Sequence, residues 1–389
     1  MPEVSSIQAG VIGVNVINLL QKALQDGTET LESLESKYAI KHKRHKEFPN
    51  VISFKYDQIN SPMHEPIVAF ARGHILDENG WNILAWPFQK FWNSGEPLAA
   101  ELDWDSVRIQ EKLDGSLAIL SYYEGAWRVA TSGTPDASGN VNGLPITFAE
   151  LFWKTWNDMR LELPKTYEGY TFMFELMTPF NRIVVQHKEA WIALIGVRDM
   201  ESGEELSVNH FVGMDWPIVK EFKAQSKEAL NLMLDSMNGL EQEGFVCVDK
   251  NFNRQKLKAA SYVQLHHMRG DDGPTPKRML GLVLTGESSE VLANFPEWRE
   301  FYEPVEKAFN DLKVKLLGDY IEAGCNAWAA APVGVEVSPA HAQKVFASFA
   351  VKTTYPPAMF ALRAGKTESI DVYLRSMQID KLMRLLELK

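Results

Sequence analysis

The chain has 389 residues, 45% hydrophobic and 23% charged, which is the balance of a soluble globular protein and excludes a disordered, collagen-like or fibrous one. At about 100–200 residues per domain it should hold two domains. A net charge of −11 excludes a protein that coats nucleic acid by bulk electrostatics, but not a local basic site, because phosphate recognition depends on where the charges lie.

The apolar run Ala9–Leu20 spans twelve residues and is interrupted by Asn15 and Asn18, too short and too polar to cross a bilayer. With no basic stretch before it, neither a leader nor a membrane partner is expected. The two cysteines, Cys247 and Cys325, form no C-x-x-C pair, which fits a reducing compartment and a cytoplasmic location. Residues 11–40 read as helices, with Val14, Ile17 and Leu20, then Leu31, Leu34 and Tyr38, recurring at spacings of three and four. Lys37, Lys41, Lys43, Arg44 and Lys46 follow with no acid among them; this run is either a solvated surface or a contact with a polyanion.

From Val51 to Lys258 short β-rich runs alternate with turn signals: Val51–Tyr56, Ile67–Ile75, Asn82–Trp86, Ser116–Tyr123, Trp127–Thr131, Tyr170–Leu176, Arg182–Val185, Trp191–Val197 and Gly244–Val248. Helical interludes are expected at 147–161 and 227–237. The fold class is therefore α+β, built on antiparallel strands. The turn-rich stretch Asp271–Pro276 reads as a linker. It separates a domain at 1–270 from an all-α C-terminal domain at 271–389. There, helices are expected from about Pro304, from Ser338 as N-cap with Pro339 next, and from Thr367 through to Leu388. Residues 338–389 carry eight basic and four acidic side chains, whereas 286–337 carry four basic and ten acidic.

The most specific string is Glu111-Lys112-Leu113-Asp114-Gly115-Ser116, at the mouth of a strand. A lysine two positions before Asp-Gly suits an amine that attacks the α-phosphate of a nucleotide and forms a phosphoramidate. Such a lysine needs neighbouring cations or desolvation to favour its neutral form. Downstream come Phe172-Met173-Phe174-Glu175-Leu176, Trp191–Asp199, Glu243-Gly244-Phe245-Val246 and Lys256-Leu257-Lys258. Alternation along a strand puts Lys256 and Lys258 on one side, where they repel unless an anion lies between them. Gly365-Lys366-Thr367 lacks the rest of a P-loop, and His266-His267 has no partners at a metal spacing.

As a series, Lys112-x-Asp114-Gly115, Glu175, Trp191–Asp199, Glu243-Gly244 and Lys256-x-Lys258 resemble the motifs of the covalent nucleotidyltransferases, the superfamily of ligases and capping enzymes. Arg72-Gly73-His74-Ile75, Pro87–Glu96 and Pro179–Val184 resemble the phage RNA ligase 1 family in particular. The resemblance covers about residues 50–260. It implies an ATP-dependent RNA ligase that joins 5′-phosphate and 3′-hydroxyl RNA ends through a lysine–AMP intermediate, monomeric and phage- or virus-encoded.

By matching position, the resemblance makes Lys112 the adenylylated nucleophile. It places Arg72 and Lys90 by the phosphates or sugar, Glu175 by the ribose, and Lys256 and Lys258 on the α-phosphate. Phe54 or Tyr56 would lie near the adenine, and Glu243, with Glu175, would hold the metal, Mg²⁺ or Mn²⁺. The chain departs from the family at two places: Thr131-Ser132-Gly133 stands where a Ser-Lys-Gly string meets the triphosphate, and Ala259-Ala260-Ser261-Tyr262 lacks a basic residue after the last lysine pair. Two other readings fit the sequence less well. A DNA ligase or capping enzyme needs a β-barrel after Lys258, where the sequence reads as helical. A non-catalytic RNA-binding protein does not need this full set of charged residues.

Overall fold

The structure is a computed structural model and describes residues 17–141, 144–222, 227–270, 273–286, 288–332 and 337–388. Most of the Ala9–Leu20 run, Asp271 and Asp272 of the expected linker, and Lys389 lie outside the described residues. Contacts divide the chain into one unit ending at Leu265 and another beginning at His266.

The first unit opens with α1 (Leu19–Gln25), capped by Asn18, and α2 (Leu31–Tyr38), capped by Thr30. Then follow β1 (Ile40–Arg44), β2 (Val51–Tyr56), α3 (Pro66–Phe70), β3 (Arg72–Asp77), β4 (Asn82–Ala85), β5 (Trp92–Asn93), β6 (Arg108–Lys112), β7 (Ser116–Tyr123) and β8 (Ala126–Ala130). The chain continues through α4 (Phe148–Asp158), β9 (Tyr170–Met177), β10 (Trp191–Asp199), β11 (Glu205–Leu206), β12 (Glu221–Phe222), α5 (Lys227–Asp235), β13 (Gly244–Val248), β14 (Arg254–Lys258) and α6 (Ala260–Arg269). Three sheets result, in the orders β1-β2-β3-β4, β11-β10-β9-β7-β8 and β12-β6-β13-β14-β5. Among the described residues every pairing of these strands is antiparallel except β14 with β5.

The central sheet is held by α4. Thr147 and Glu150 form a reciprocal capping box at its start. Its apolar face buries Leu151, Phe152 and Trp156 against Phe172, Phe174 and Trp216. Trp156 meets Phe174 and Trp216 edge-on, with centroids 5.6 and 5.5 Å apart, the geometry that ring quadrupoles favour.

Two expected strands differ. Ile67–Ile75 divides into α3 and β3, because Pro66 starts a helical turn that ends before Arg72. Arg182–Val185 forms no strand: the Val184 and Val185 N–H groups donate to the Asp114 carboxylate instead of to a neighbouring strand.

The second unit contains α7 (Pro276–Thr285), α8 (Ser288–Asn294), α9 (Arg299–Ala329), α10 (Pro339–Ala350), α11 (Pro356–Arg363), α12 (Ile370–Arg375) and α13 (Ile379–Leu385). Among the described residues no strand follows Lys258. Ser338 caps α10 as expected. Helix α9 starts at Arg299 and carries Pro304 inside it. Its expected face buries Val305, Phe309, Leu312 and Leu316. The single helix expected from Thr367 is instead two, α12 and α13. Ser369 is the cap of the first, accepting from the Val372 N–H, while the Thr367 hydroxyl donates to the Ser369 carbonyl. No helix of the described residues is long and apolar enough to cross a membrane.

Truncating a ring fully inside the central core removes its transfer energy and leaves a cavity. Trp156→Ala should therefore cost about 3–5 kcal/mol, measured as a lower urea midpoint at unchanged slope.

Candidate active site

Strand register brings the charged residues together. Gly244 on β13 pairs with Lys112 on β6 on one side and with Lys258 on β14 on the other. Gly244 has φ +148°, and a Cβ there would collide with the Leu257 carbonyl oxygen, so no larger residue fits between the two lysine strands. Glu243, immediately before it, is buried. Its Oε2 accepts from Lys112 Nζ at 2.6 Å and its Oε1 from Lys258 Nζ at 2.9 Å.

The turn after Lys112 is fixed from inside. Asp114 is buried and accepts from the Val184 N–H at 2.8 Å, the Val185 N–H at 2.7 Å and the Tyr262 hydroxyl at 3.0 Å. Its carbonyl lies 2.8 Å from His187 Nε2. The next residue must be glycine, because a Cβ at Gly115 would stand 2.5 Å from the Leu176 carbonyl oxygen of β9. Thus the Asp-Gly pair ties β6, the 184–187 segment, β9 and α6 into one frame around the lysine.

Glu175 stands opposite Leu117 in the β7–β9 pairing. Burial raises its pKa to about 7; Lys112 and Arg72 oppose the rise, while Glu243 and Asp114 add to it. Burial drives Lys256 down to about 8, helped by Lys112, Arg72, Lys90 and Lys258. Arg72 lies 5.8 Å from the Phe91 ring centroid and keeps a buried Nη1 without a hydrogen-bond partner, a donor aimed where an acceptor would be welcome.

These groups face one cleft of about 530 Å³. Its lining includes the basic side chains Lys43, Lys55, Arg72, Lys112, Arg254, Lys256 and Lys258, but only Glu111 and Glu175 as acids. In a chain of net charge −11 this is a local anion site. Phe88, Ile195, Val219 and Val246 supply its apolar wall. A group of three His, Cys, Asp or Glu side chains able to hold a metal is absent among the described residues.

Of the residues expected in the site, Arg72, Lys112, Glu175, Lys256 and Lys258 line the cleft, and Glu243 bonds two of them. Lys90 and Tyr56 are not among the lining residues. Lys90 Nζ stacks 4.7 Å from the Tyr56 ring centroid and 4.3 Å from that of Trp92. Phe54 is fully buried in the core of the first sheet. The aromatic expected near adenine is thus not at 54; Ile195 and Val246, within strings already singled out, face the cleft. Sequence reasoning missed Tyr262, whose hydroxyl anchors Asp114, and Lys55. In the basic run, Lys37, Lys41 and Arg44 pair with Glu29, Asp57 and Glu78 at the surface, while Lys43 reaches the cleft.

The RNA ligase family model matches residues 70–263, a span that holds every expected site residue except the aromatic alternatives Phe54 and Tyr56. Over that span the chain matches the RNA ligase family. The expectations of a ligase, of RNA as its substrate class and of an α+β nucleotidyltransferase therefore stand. An RNA ligase of Rhodothermus phage RM378 is 28% identical over 310 residues, covering 63% of this chain and 70% of that one. Among solved structures, an archaeal ATP-dependent RNA ligase gives a TM-score of 0.44 at 12% identity, covering 83% of this chain and 86% of that one. A mutant RNA ligase of Naegleria gruberi, solved with ATP and Mn, gives 0.32 at 14% identity, covering 42% and 51%.

Two measurements probe this geometry. Asp114→Ala leaves two N–H groups and a hydroxyl unpaired, each worth about 1–3 kcal/mol. A stability loss of about 3 kcal/mol or more is expected by denaturant titration. Lys256 is charged below its pKa of about 8, and a bound polyanion raises that pKa. Nucleotide binding at pH 8.5 should therefore take up protons, and affinity should fall as pH rises through 8. Calorimetry in buffers of different ionisation enthalpy should show this uptake, and Lys256→Met should abolish it.

Proposed function

We propose that this ligase joins a 5′-phosphate RNA end to a 3′-hydroxyl end, using ATP and a divalent cation, Mg²⁺ or Mn²⁺. The observation that carries the reading is Lys112 at the fixed Asp-Gly turn, its ammonium on Glu243 beside Lys258 in a cation-lined cleft.

Lys112 loses its proton to solvent and its amine attacks the α-phosphorus of ATP. The N–P bond forms, the bond to the bridging oxygen breaks, and pyrophosphate leaves with the electron pair. A 5′-phosphate oxygen of RNA then attacks the same phosphorus, the N–P bond breaks and the Lys112 amine leaves and takes up a proton. Finally the 3′-hydroxyl oxygen, giving up its proton to solvent, attacks the RNA 5′-phosphorus and AMP leaves with the electron pair, closing the phosphodiester. Lys256 and Lys258 stabilise charge at the phosphorus undergoing substitution, and Arg72 supplies its unpaired donor to a phosphate oxygen. Glu175 faces the ribose, and the adenine packs on the apolar wall of Phe88, Ile195, Val219 and Val246. Tyr56 acts on this picture from behind, through its contact with Arg72, and Lys90 through its contact with Tyr56.

The donor set suits a hard cation that keeps waters and takes most of its ligands from substrate phosphates. Glu175, with Glu243, would supply the protein carboxylates. Bound there, the cation would offset charge on the triphosphate.

Residues 1–270 serve in this reading as the adenylyltransferase and 271–389 as an RNA-positioning domain, with Lys344, Lys352, Arg363, Lys366, Lys381 and Arg384 contacting phosphates. Arg375 is occupied otherwise: it pairs with Asp371 and donates to the Val283 and Leu284 carbonyls.

Mass spectrometry after incubation with ATP and Mg²⁺ should show one AMP per chain. Lys112→Ala should carry none, yet should still seal RNA that already bears a 5′ AMP, within about tenfold of the unsubstituted enzyme, because that step does not use the lysine amine. An adduct that survives Lys112→Ala would sink the proposal.

A further inference from the structure

Two lysines reach the cleft from the first sheet. Lys43 lies on β1 and Lys55 on β2, and both line the cleft alongside Thr131–Thr134. Register explains how. Lys55 pairs with Arg72 across β2 and β3, just past an irregularity in the pairing, so their side chains leave the sheet on the same face. Between Arg72 and His74, Gly73 adopts φ +89° and packs so closely that a Cβ on it would stand 2.9 Å from Ser132 Cα.

The first sheet therefore abuts the 131–134 loop. That loop is held tight by Thr131, whose hydroxyl accepts from the Gly133 N–H at 3.3 Å and the Thr134 N–H at 3.2 Å. Over the loop, Lys55 Nζ lies only 3.5 Å from where a Gly133 Cβ would be.

The neighbouring cations Lys37, Lys41 and Arg44 all have carboxylate partners. Among the described residues Lys43 and Lys55 have none. Two ammonium groups without counter-ions, at the rim of a cleft already rich in cations, form an incomplete site that a polyanion completes.

We propose that Lys55, assisted by Lys43, binds the β- and γ-phosphates of ATP and stabilises the departing pyrophosphate in the first step. This rests on the Lys112–AMP reading above. In that step the Lys112 N–P bond forms as the bond from phosphorus to the bridging oxygen breaks, and the electron pair leaves with pyrophosphate. The leaving oxygen departs on the side away from the attacking amine, so Lys112 cannot screen the charge that gathers there and other cations must. Lys55 stands over the loop where Ser132 replaces the lysine of the resembling family. The same rim could instead hold the 5′-phosphate of RNA, and the experiment separates the two.

Lys55→Ala, Lys43→Ala and Lys55→Arg are compared in two single-step assays. One is formation of the Lys112–AMP adduct from ATP; the other is sealing of RNA that already carries a 5′ AMP, without ATP. Lys55→Ala should lower kcat/KM for ATP in adduct formation about ten- to a hundredfold, less than loss of a buried oxyanion donor. Lys43→Ala should have a smaller effect in the same direction, and Lys55→Arg should restore most of the loss. Sealing of adenylylated RNA should change by less than about twofold. Pyrophosphate should also reverse the adduct more slowly in Lys55→Ala. Unchanged adduct formation, or a loss equal in both assays, would overturn the proposal, as would a loss confined to sealing, which would assign the rim to RNA. If the unsubstituted chain forms no adduct with ATP, the parent reading falls as well, an outcome distinct from a normal adduct with unaltered ATP kinetics in Lys55→Ala.

Discussion

The two oxygens of Glu243 hold Lys112 at 2.6 Å and Lys258 at 2.9 Å, and the rest of the site is arranged around that bridge. A carboxylate with only 4% of its side chain exposed would be costly to bury alone. Two ammonium groups on either side of Gly244 would repel without it. Each charge therefore makes the others tenable, and the backbone enforces the pairing: Gly244 leaves no room for a side chain in the row, and antiparallel register sets Lys112 and Lys258 across it. On the proposed chemistry the bridge is also the element that changes, because a lysine converted to a phosphoramidate no longer carries a positive charge.

Asp114 performs the complementary task of geometry. Its oxygens take up two main-chain donors and one hydroxyl from segments 70 to 148 residues away in sequence. A buried carboxylate with its lone pairs satisfied is a rigid joint, and this one lies two residues from Lys112. The Asp-Gly signature thus works less as a turn than as a junction: aspartate gathers distant backbone, and glycine lets β9 approach within contact distance.

Much of this was legible in the sequence, and the reasons differ by residue. Lys112, Glu175, Glu243, Lys256 and Lys258 sit on or next to strands whose alternation is visible in the chain, so their chemistry and their side of the strand could be read locally. The failures arose where tertiary partners decide. The apolar run through residues 67–75 has β-composition, but Pro66 starts a helical turn in it. Val184 and Val185 have β-propensity, yet Asp114 claims their N–H groups. Phe54 and Tyr56 look alike as ring-bearing candidates; one fills a core and the other stacks on Lys90. Lys55 carries no local mark at all, since only the pairing of β2 with β3 and the close approach of Gly73 to Ser132 bring it to the cleft. In the sequence Tyr262 marks only the absence of a basic residue, whereas in the fold its hydroxyl anchors the junction.

Burial acts on the charged groups of the cleft in opposite directions. It lowers Lys256 to about 8 and raises Glu175 to about 7, so each is moved toward its neutral form by the same loss of water. The cleft thereby limits the electrostatic cost of gathering so many like charges in an acidic protein. A polyanion entering it strengthens the ammonium form of Lys256, and so completes the positive charge at the moment it is needed. Glu175, poised near neutrality, exists both as acid and as carboxylate at pH 7, and can meet a hydroxyl group either as donor or as acceptor. Recognition and charge balance are in this way properties of one desolvated space, which the strands define and which Glu243 and Asp114 hold open.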